Sequence, residues 1–330
     1  DMLLGAVADS SVLENVKSDF LKNRSDDKLN QSACFNALTN YMIAGPEYIA
    51  ATTPSNDYIS KVSSEELLQA VRDVLSKGHE IKYYGPMKES ELKDVLASSH
   101  HVSEGAQILE ERYAQHRKID SPEVILAQYD AKQLYYYQYS NRGETFDPSQ
   151  DAAISMYNEY FGGGMNAIVF QEMREARGLA YSASARLSTP FVKDGNYMYY
   201  AFIATQNDKM RQAIEAFDSI INDMPRSQAA FDIAKEAIIG RMRTARVTGM
   251  NVLNAYLSCR RLGIEEPLAR QNFEALQKMT LDDVIATQEH WVKDRSYCYA
   301  ILGDIKDLDT KYLKTLGEVK ILSLEDIFGY

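Results

Sequence analysis

The sequence is short of the residues on which several kinds of protein depend. Three cysteines in 330 residues, Cys34, Cys259 and Cys298, are far apart and odd in number. They suit neither a disulfide framework nor a CxxC zinc cluster. No run of about 18 apolar residues occurs, so no segment reads as a helix that spans a bilayer. Positive charge is the scarcer sign, with 36 Lys and Arg against 47 Asp and Glu and a net charge of −11. Nucleic acid and anionic membrane are therefore poor partners. The opening DMLLGAVADSSVLENVKSDF has no basic region, long apolar run or small-residue cleavage site. It does not read as a signal peptide, and cytoplasmic and periplasmic settings both stay open. Histidine is scarce as well: His79, His100, His101, His116 and His290. None has the His-x-x-Glu-His or His-Glu-x-x-His spacing that puts two imidazoles on one helix face. They read as surface histidines, and no zinc site is expected.

What is present describes a globular chain. Hydrophobic residues make up 45% and charged residues 25%, which argues against wholesale disorder. The length suggests two domains. Tyrosine is in excess, 22 against a single Trp.

Apolar spacing predicts helices over 10–23, 31–44 and 63–78, the last with capping-box residues Ser63 and Glu66 at its start. EIKYYG reads as a short strand and Glu89–Ser99 as a helix. HHVSEGAQILEERYAQHRK is polar and reads as a connection. EVILAQYD, KQLYYYQYS, LAYSASARLS, NYMYYAFIAT and SYCYAILG, rich in β-branched and aromatic residues, read as strands. Helices are expected over 151–160, from Asn166 to about Glu175, over 208–223, 227–245 and 250–262, over 267–293 with breaks, and at the end of the chain. Acidic residues in the helices between 208 and 293 read as solvated faces.

An internal repeat changes the domain count. Shifted by 218 positions, Val16-Lys17 falls on Ala234-Lys235, Asn36-Ala37 on Asn254-Ala255, Gly45 on Gly263 and Gly85 on Gly303. Ser63 meets Thr280 with a slip of one. Helix, helix, helix, strand-Gly, helix recurs in the same order, the mark of a duplicated unit. In the second copy those helices follow four strands, whereas in the first no such strands precede them. Residues 1–104 are therefore expected to be the C-terminal part of a truncated repeat domain, and 105–330 a complete one.

Two clusters carry candidate chemistry. Gly162, Gly163 and Gly164 open a helix, where backbone N–H groups can cradle a phosphate. No Gly-Lys-Ser/Thr follows and GxGxxG spacing is absent, so flexible backbone passing near a substrate or another domain is the better reading. The second cluster is Arg174, Arg177 and Tyr181. A helix end and a strand start can bring a guanidinium and a phenol to one side of a sheet, offering donors to peptide carbonyls. Equally, Tyr181 alternates with Leu179, Ala183 and Leu187 like a core aromatic, and Arg174 suits a solvated cation at a helix C-terminus.

The stretch YNEYFGGGMNAIVFQEMREARGLAYSASARLSTPF, with TQNDKM and the ending AILGDIKDLDTKYLKTLGEVKILSLEDIFGY, resembles the C-terminal half of pitrilysin-type (insulinase-type) zinc metallopeptidases, particularly the long bacterial members. The resemblance covers about residues 28–330. It implies an α+β fold, an α/β sandwich of repeated domains with a mainly antiparallel sheet covered by helices on one face. It implies that two halves close like a clamshell on a peptide. The inverted zinc motif, the zinc and the general base would belong to an N-terminal half, the implied partner. This chain alone would then bind no zinc and cleave nothing. Arg174 and Tyr181 match the family's Arg and Tyr at a spacing of seven. The resemblance gives Arg174 a substrate carbonyl to hold and Tyr181 the oxyanion to steady, with Gly162–Gly164 close to that pocket. Arg177 receives no role. The alternatives are a non-catalytic partner subunit of a two-chain peptidase, or a structural or interaction subunit.

Overall fold

The computed structural model describes residues 5–100 and 105–330. Its first segment is helical: α1 (Ser10–Asp27), α2 (Gln31–Ala44), α3 (Pro46–Thr52), α4 (Asn56–Lys61), α5 (Ser64–Leu75) and α6 (Glu89–Ser99). The Asp9 carboxylate accepts from the N–H groups of Ser11 and Val12 to start α1, and Ser63 and Glu66 form the expected capping box on α5. Gly45 ends α2 at φ +86°, a backbone angle that side chains disfavour, and Pro46 then opens α3.

The second segment builds one six-stranded sheet. Its elements are β1 (Glu123–Gln128), β2 (Gln133–Ser140), α7 (Asp151–Phe161), α8 (Ile168–Phe170), β3 (Ser182–Ser188) and β4 (Met198–Gln206). Helices α9 (Met210–Asn222), α10 (Gln228–Thr244), α11 (Asn251–Leu262), α12 (Ala269–Lys278) and α13 (Leu281–Trp291) follow. The chain ends with β5 (Cys298–Gly303), α14 (Thr310–Leu316), β6 (Glu318–Leu322) and α15 (Leu324–Phe328). The strand order is β3-β4-β2-β5-β1-β6. β3–β4, β4–β2 and β2–β5 are antiparallel, while β5–β1 and β1–β6 are parallel. The sheet is thus mainly antiparallel, as expected.

One face of the sheet carries the main core, where Leu126, Leu134, Tyr136, Tyr199, Ile203 and Ile301 pack under α7, α9, α10 and α13. The other face is not bare. Phe35 of α2 sits edge-on to Tyr135, 5.2 Å between ring centres, and 5.4 Å from Phe202. Cys34, Leu38 and Met42 join it over Ile125, Ala300 and Leu302, with Ile327 of α15 beside them. Part of the tyrosine excess is buried in these two layers: Tyr136, Tyr157, Tyr160 and Tyr199 in the main core and Tyr139 on the α2 face are among the largest fully buried side chains.

Two expectations need correction. EIKYYG is not a strand; residues 80–85 run as exposed, irregular chain. A strand exists only by pairing, and among the described residues no strand lies beside it. Conversely β6 was not expected: EVKIL is short and mostly exposed, and pairing with β1 makes it a strand.

The helices keep the repeat's offset closely. α1 begins at Ser10 and α10 at Gln228, and α2 and α11 end against Gly45 and Gly263, both at positive φ. Thr280 and Asp283 form on α13 the same capping box that Ser63 and Glu66 form on α5. Lys17 donates to the Ser60 carbonyl at 3.2 Å, and its counterpart Lys235 donates to Gln277 and Met279 carbonyls at 2.9 and 2.8 Å.

Candidate functional site

Helix α8 continues as a single π-type stretch, Gln171–Ala176, which includes Arg174. Wider π turns are uncommon and frequently occur at functional sites. The chain then leaves the helix on a fixed path. Gly178, at φ +58°, donates its N–H to the Arg174 carbonyl, and the N–H groups of Leu179 and Ala180 both donate to the Met173 carbonyl. Thr205 Oγ1 donates to the Leu179 carbonyl at 2.6 Å.

Tyr181 comes next, and its position answers whether it is a core aromatic. Its N–H donates to the Ala204 carbonyl at 2.9 Å, while Ser182 is the register partner of the same Ala204. Two residues oppose one, the arrangement of a β-bulge, which re-aims a side chain. Ala183, Ala185 and Leu187 face the core as alternation requires, but Tyr181 is 71% exposed. The core reading of Tyr181 is therefore excluded.

The structure brings the two candidates together. The Arg174 guanidinium carbon lies 5.8 Å from the Tyr181 ring centre and 5.0 Å from that of Phe170. Its charged neighbour is Glu175, at 3.7 Å and solvent-exposed, a contact that contributes little. Arg177 instead pairs with Glu172 at 3.2 Å, which fits a surface cation. The result is a guanidinium and a phenol side by side on a hydrogen-bonded backbone, both open to solvent. Such a pair can hold carbonyl or carboxylate oxygens.

The glycine run has a different explanation at its first member. A Cβ on Gly162 would stand 1.9 Å from the Ala185 carbonyl oxygen, so only glycine lets the end of α7 meet the β3 backbone. Next to it, the Asn158 amide donates to the Leu187 carbonyl and accepts from the Leu187 N–H, both at 2.8 Å. That amide stands in for a neighbouring strand on the outer edge of β3. Ala185 is four residues along β3 from Tyr181, roughly 13 Å away at a strand's rise per residue. Gly164 has open space around it.

A cleft of about 690 Å³ lies elsewhere, between Arg112, Tyr113 and His116 of the connecting segment, the β3–β4 loop and Arg260 and Arg261 of α11. It does not reach the Arg174–Tyr181 pair.

Zinc finds no ligand set here. Among the described residues no three His, Cys, Asp or Glu side chains converge on a point. His79 and His100 touch, Nε2 to Nε2 at 2.6 Å, but stand exposed with no third ligand. His116 is half-buried rather than on the surface, and burial lowers its pKa. His101 lies outside the described residues. The three cysteines are buried, and burial pushes the Cys298 thiol up, away from reactivity.

One acidic residue departs from the solvated-face reading. Asp218 on α9 is half-buried beside Gln138, and burial raises its pKa to about 6.

The family profile of the peptidase M16 inactive domain matches residues 58–238, more than half of the chain and including the whole Gly–Arg–Tyr stretch. The chain belongs to this family. Curated relatives are uncharacterized zinc proteases of Mycobacterium bovis and Mycobacterium tuberculosis, 30% identical over 159 residues, which cover 46% of this chain and 34% of theirs. The chain thus matches about a third of the length of those relatives. Among solved structures, the peptidase M16 inactive domain from Pseudomonas fluorescens superposes with a TM-score of 0.64 at 16% identity, over 90% of this chain and 71% of that one. The ferredoxin protease FusC, solved as a mutant in complex with Arabidopsis ferredoxin, superposes with a TM-score of 0.63 at 15% identity, over 90% of this chain and 32% of that one. At these identities the likeness is one of fold. The family is the one expected from the sequence, and this M16 inactive domain has zinc proteases among its relatives.

Proposed function

We propose that this chain is the non-zinc-binding, C-terminal half of a zinc metallopeptidase, which closes over a peptide substrate and positions it for hydrolysis. The observation that carries the reading is the exposed Arg174–Tyr181 pair, 5.8 Å from guanidinium to ring centre, on backbone held by hydrogen bonds at both ends. A packing role would have buried Tyr181, whereas the bulge turns it outward.

In this role Arg174 donates to a carbonyl oxygen of the bound peptide, keeping the scissile bond in register. The Tyr181 hydroxyl donates to the oxyanion that forms when the scissile carbonyl is attacked. In this reading zinc and the general base belong to an N-terminal half, which is supported by relatives named zinc proteases that extend well beyond the matched region.

The test has two arms. The purified chain should hold no tight zinc and show no chelator-sensitive peptidase activity, and mixing it with a separately produced zinc-bearing half should restore peptide cleavage. One tight zinc per chain with cleavage by the chain alone would overturn the reading.

A further inference from the structure

Another cavity lies within the second segment, between α11 and the layer formed by α7, α10 and α12. Its volume is about 450 Å³, within the range of pockets that hold small molecules. Ile238 and Met242 of α10, Leu262 of α11, and Leu268 and Leu276 at α12 give it apolar walls. Helix α11 stands off from the fold here. Of its 12 residues only Cys259 is buried, and Cys259 lines the cavity.

One end of the cavity is polar and short of donors. There the Asp151 carboxylate, in the first turn of α7, accepts from Asn272 Nδ2 at 2.6 Å and more weakly from Thr189 Oγ1 at 3.5 Å. Both partners are neutral, and no Lys, Arg or His is among the described residues that line the cavity. The carboxylate fixes the orientation of the amide, because an oxygen in place of Nδ2 would face another acceptor. Asn272 Oδ1 is then left without a hydrogen-bond partner on a side chain only 9% exposed. The start of α7 accounts for a carboxylate at Asp151. It does not account for a buried amide oxygen with no donor, which is costly, beside an open apolar cavity.

We infer that this cavity is a binding site for a small organic ammonium ion, an apolar body that carries one charged amine. The body lies against the leucines, Ile238 and Met242. The ammonium sits at the Asp151–Asn272 end, where its charge meets the carboxylate and its N–H groups supply the donor that the amide oxygen lacks. An anion would meet Asp151 with like charge and bring no donor. A purely apolar ligand would leave Asn272 Oδ1 unsatisfied. Thr189, at this end of the cavity, is eight residues past Tyr181 along β3, roughly 26 Å at a strand's rise per residue. The site is therefore separate from the Arg174–Tyr181 pair and does not rest on the role proposed for it.

Three probes of one shape test it: phenethylammonium, phenethyl alcohol and phenylpropionate, each titrated into the chain at neutral pH and followed by the methyl NMR signals of Ile238 and Met242. The ammonium should saturate with a dissociation constant of about 1 mM or tighter. The alcohol should bind at least about tenfold more weakly, and the carboxylate should not saturate. Asp151→Asn keeps the side-chain shape and should reduce the ammonium to the alcohol's affinity. Ala255→Phe, which fills the cavity from α11, should abolish binding of every probe, with circular dichroism showing that each variant is folded. Should Asp151→Asn not fold, the ranking of the three probes on the parent and their loss in Ala255→Phe still decide. No saturation by the ammonium would overturn the inference. So would equal binding of the carboxylate, or an ammonium affinity that Asp151→Asn leaves unchanged.

Discussion

The guanidinium carbon of Arg174 stands 5.8 Å from the ring centre of Tyr181, and within the described residues neither side chain makes a hydrogen bond. A pair that contributes so little to the fold can be removed without unfolding it. Arg174→Ala and Tyr181→Phe should each leave the unfolding free energy within about 0.5 kcal/mol of the parent, as exposed substitutions do. In the intact peptidase each should lower turnover by well over tenfold with zinc still bound, and Tyr181→Phe by an amount near ~3 kcal/mol, the scale of one oxyanion donor. Urea unfolding, metal analysis and kcat separate the two effects. An unchanged kcat would return both residues to the surface.

Gly162 and Gly164 should behave oppositely although they are neighbours. A methyl group on Gly162 meets the Ala185 carbonyl oxygen, a backbone atom that cannot swing aside. Gly162→Ala should therefore cost about 1–3 kcal/mol or more. Gly164→Ala meets nothing within 4 Å and should be near neutral. Urea midpoints for the two variants decide the matter, and equal midpoints would remove the close-approach explanation.

Asn158 guards the outer edge of β3 by pairing with both backbone groups of Leu187. Asn158→Asp keeps the shape but replaces a donor with a second acceptor facing the Leu187 carbonyl. The expected loss is about 1–3 kcal/mol, the penalty of an unsatisfied buried polar group. An opened edge should also raise aggregation on storage, which light scattering would report.

Asp218 makes stability depend on pH. Its folded-state pKa is raised to about 6 by burial, with Glu215 adding like charge and Gln138 opposing. Tyr136, Tyr199, Tyr297, Tyr299 and Tyr312 are the other titratable groups around it. The unfolded carboxyl titrates near ~3.9, so between that value and about 6 the folded state retains a proton that the unfolded state has lost. This group's contribution is full below pH ~4 and is lost as pH rises through about 6. Asp218→Asn should flatten that slope and raise stability at pH 7 to 8 by about 1–2 kcal/mol, allowing for the residue's partial exposure. Urea unfolding of both proteins across pH 4.5 to 8 checks the sign.

The helices were legible because their caps are local: Ser63 with Glu66 and Gly45 after Ala44 act within one turn. The family was legible from the Gly–Arg–Tyr stretch. The exposure of Tyr181 was not, because alternation places it with Ala183 and only the bulge opposite Ala204 turns it away. Residues 80–85 show the converse. Their composition favours a strand, but pairing is a property of neighbours rather than of the segment. Asp218 was hidden for a similar reason: on an amphipathic helix a carboxylate reads as solvent-facing, and the tyrosines that surround it arrive from β2, β4, β5 and α14.

Helix α2 has a mechanical consequence. Phe35 is wedged between Tyr135, Tyr137 and Phe202 of the second segment's sheet, and Lys28, just past α1, holds the Tyr330 carbonyl at 2.6 Å. The two segments are thereby locked across a shared apolar seam, so sliding one over the other would unseat a buried helix face. In the closure over a peptide proposed above, this piece would move as one rigid lever.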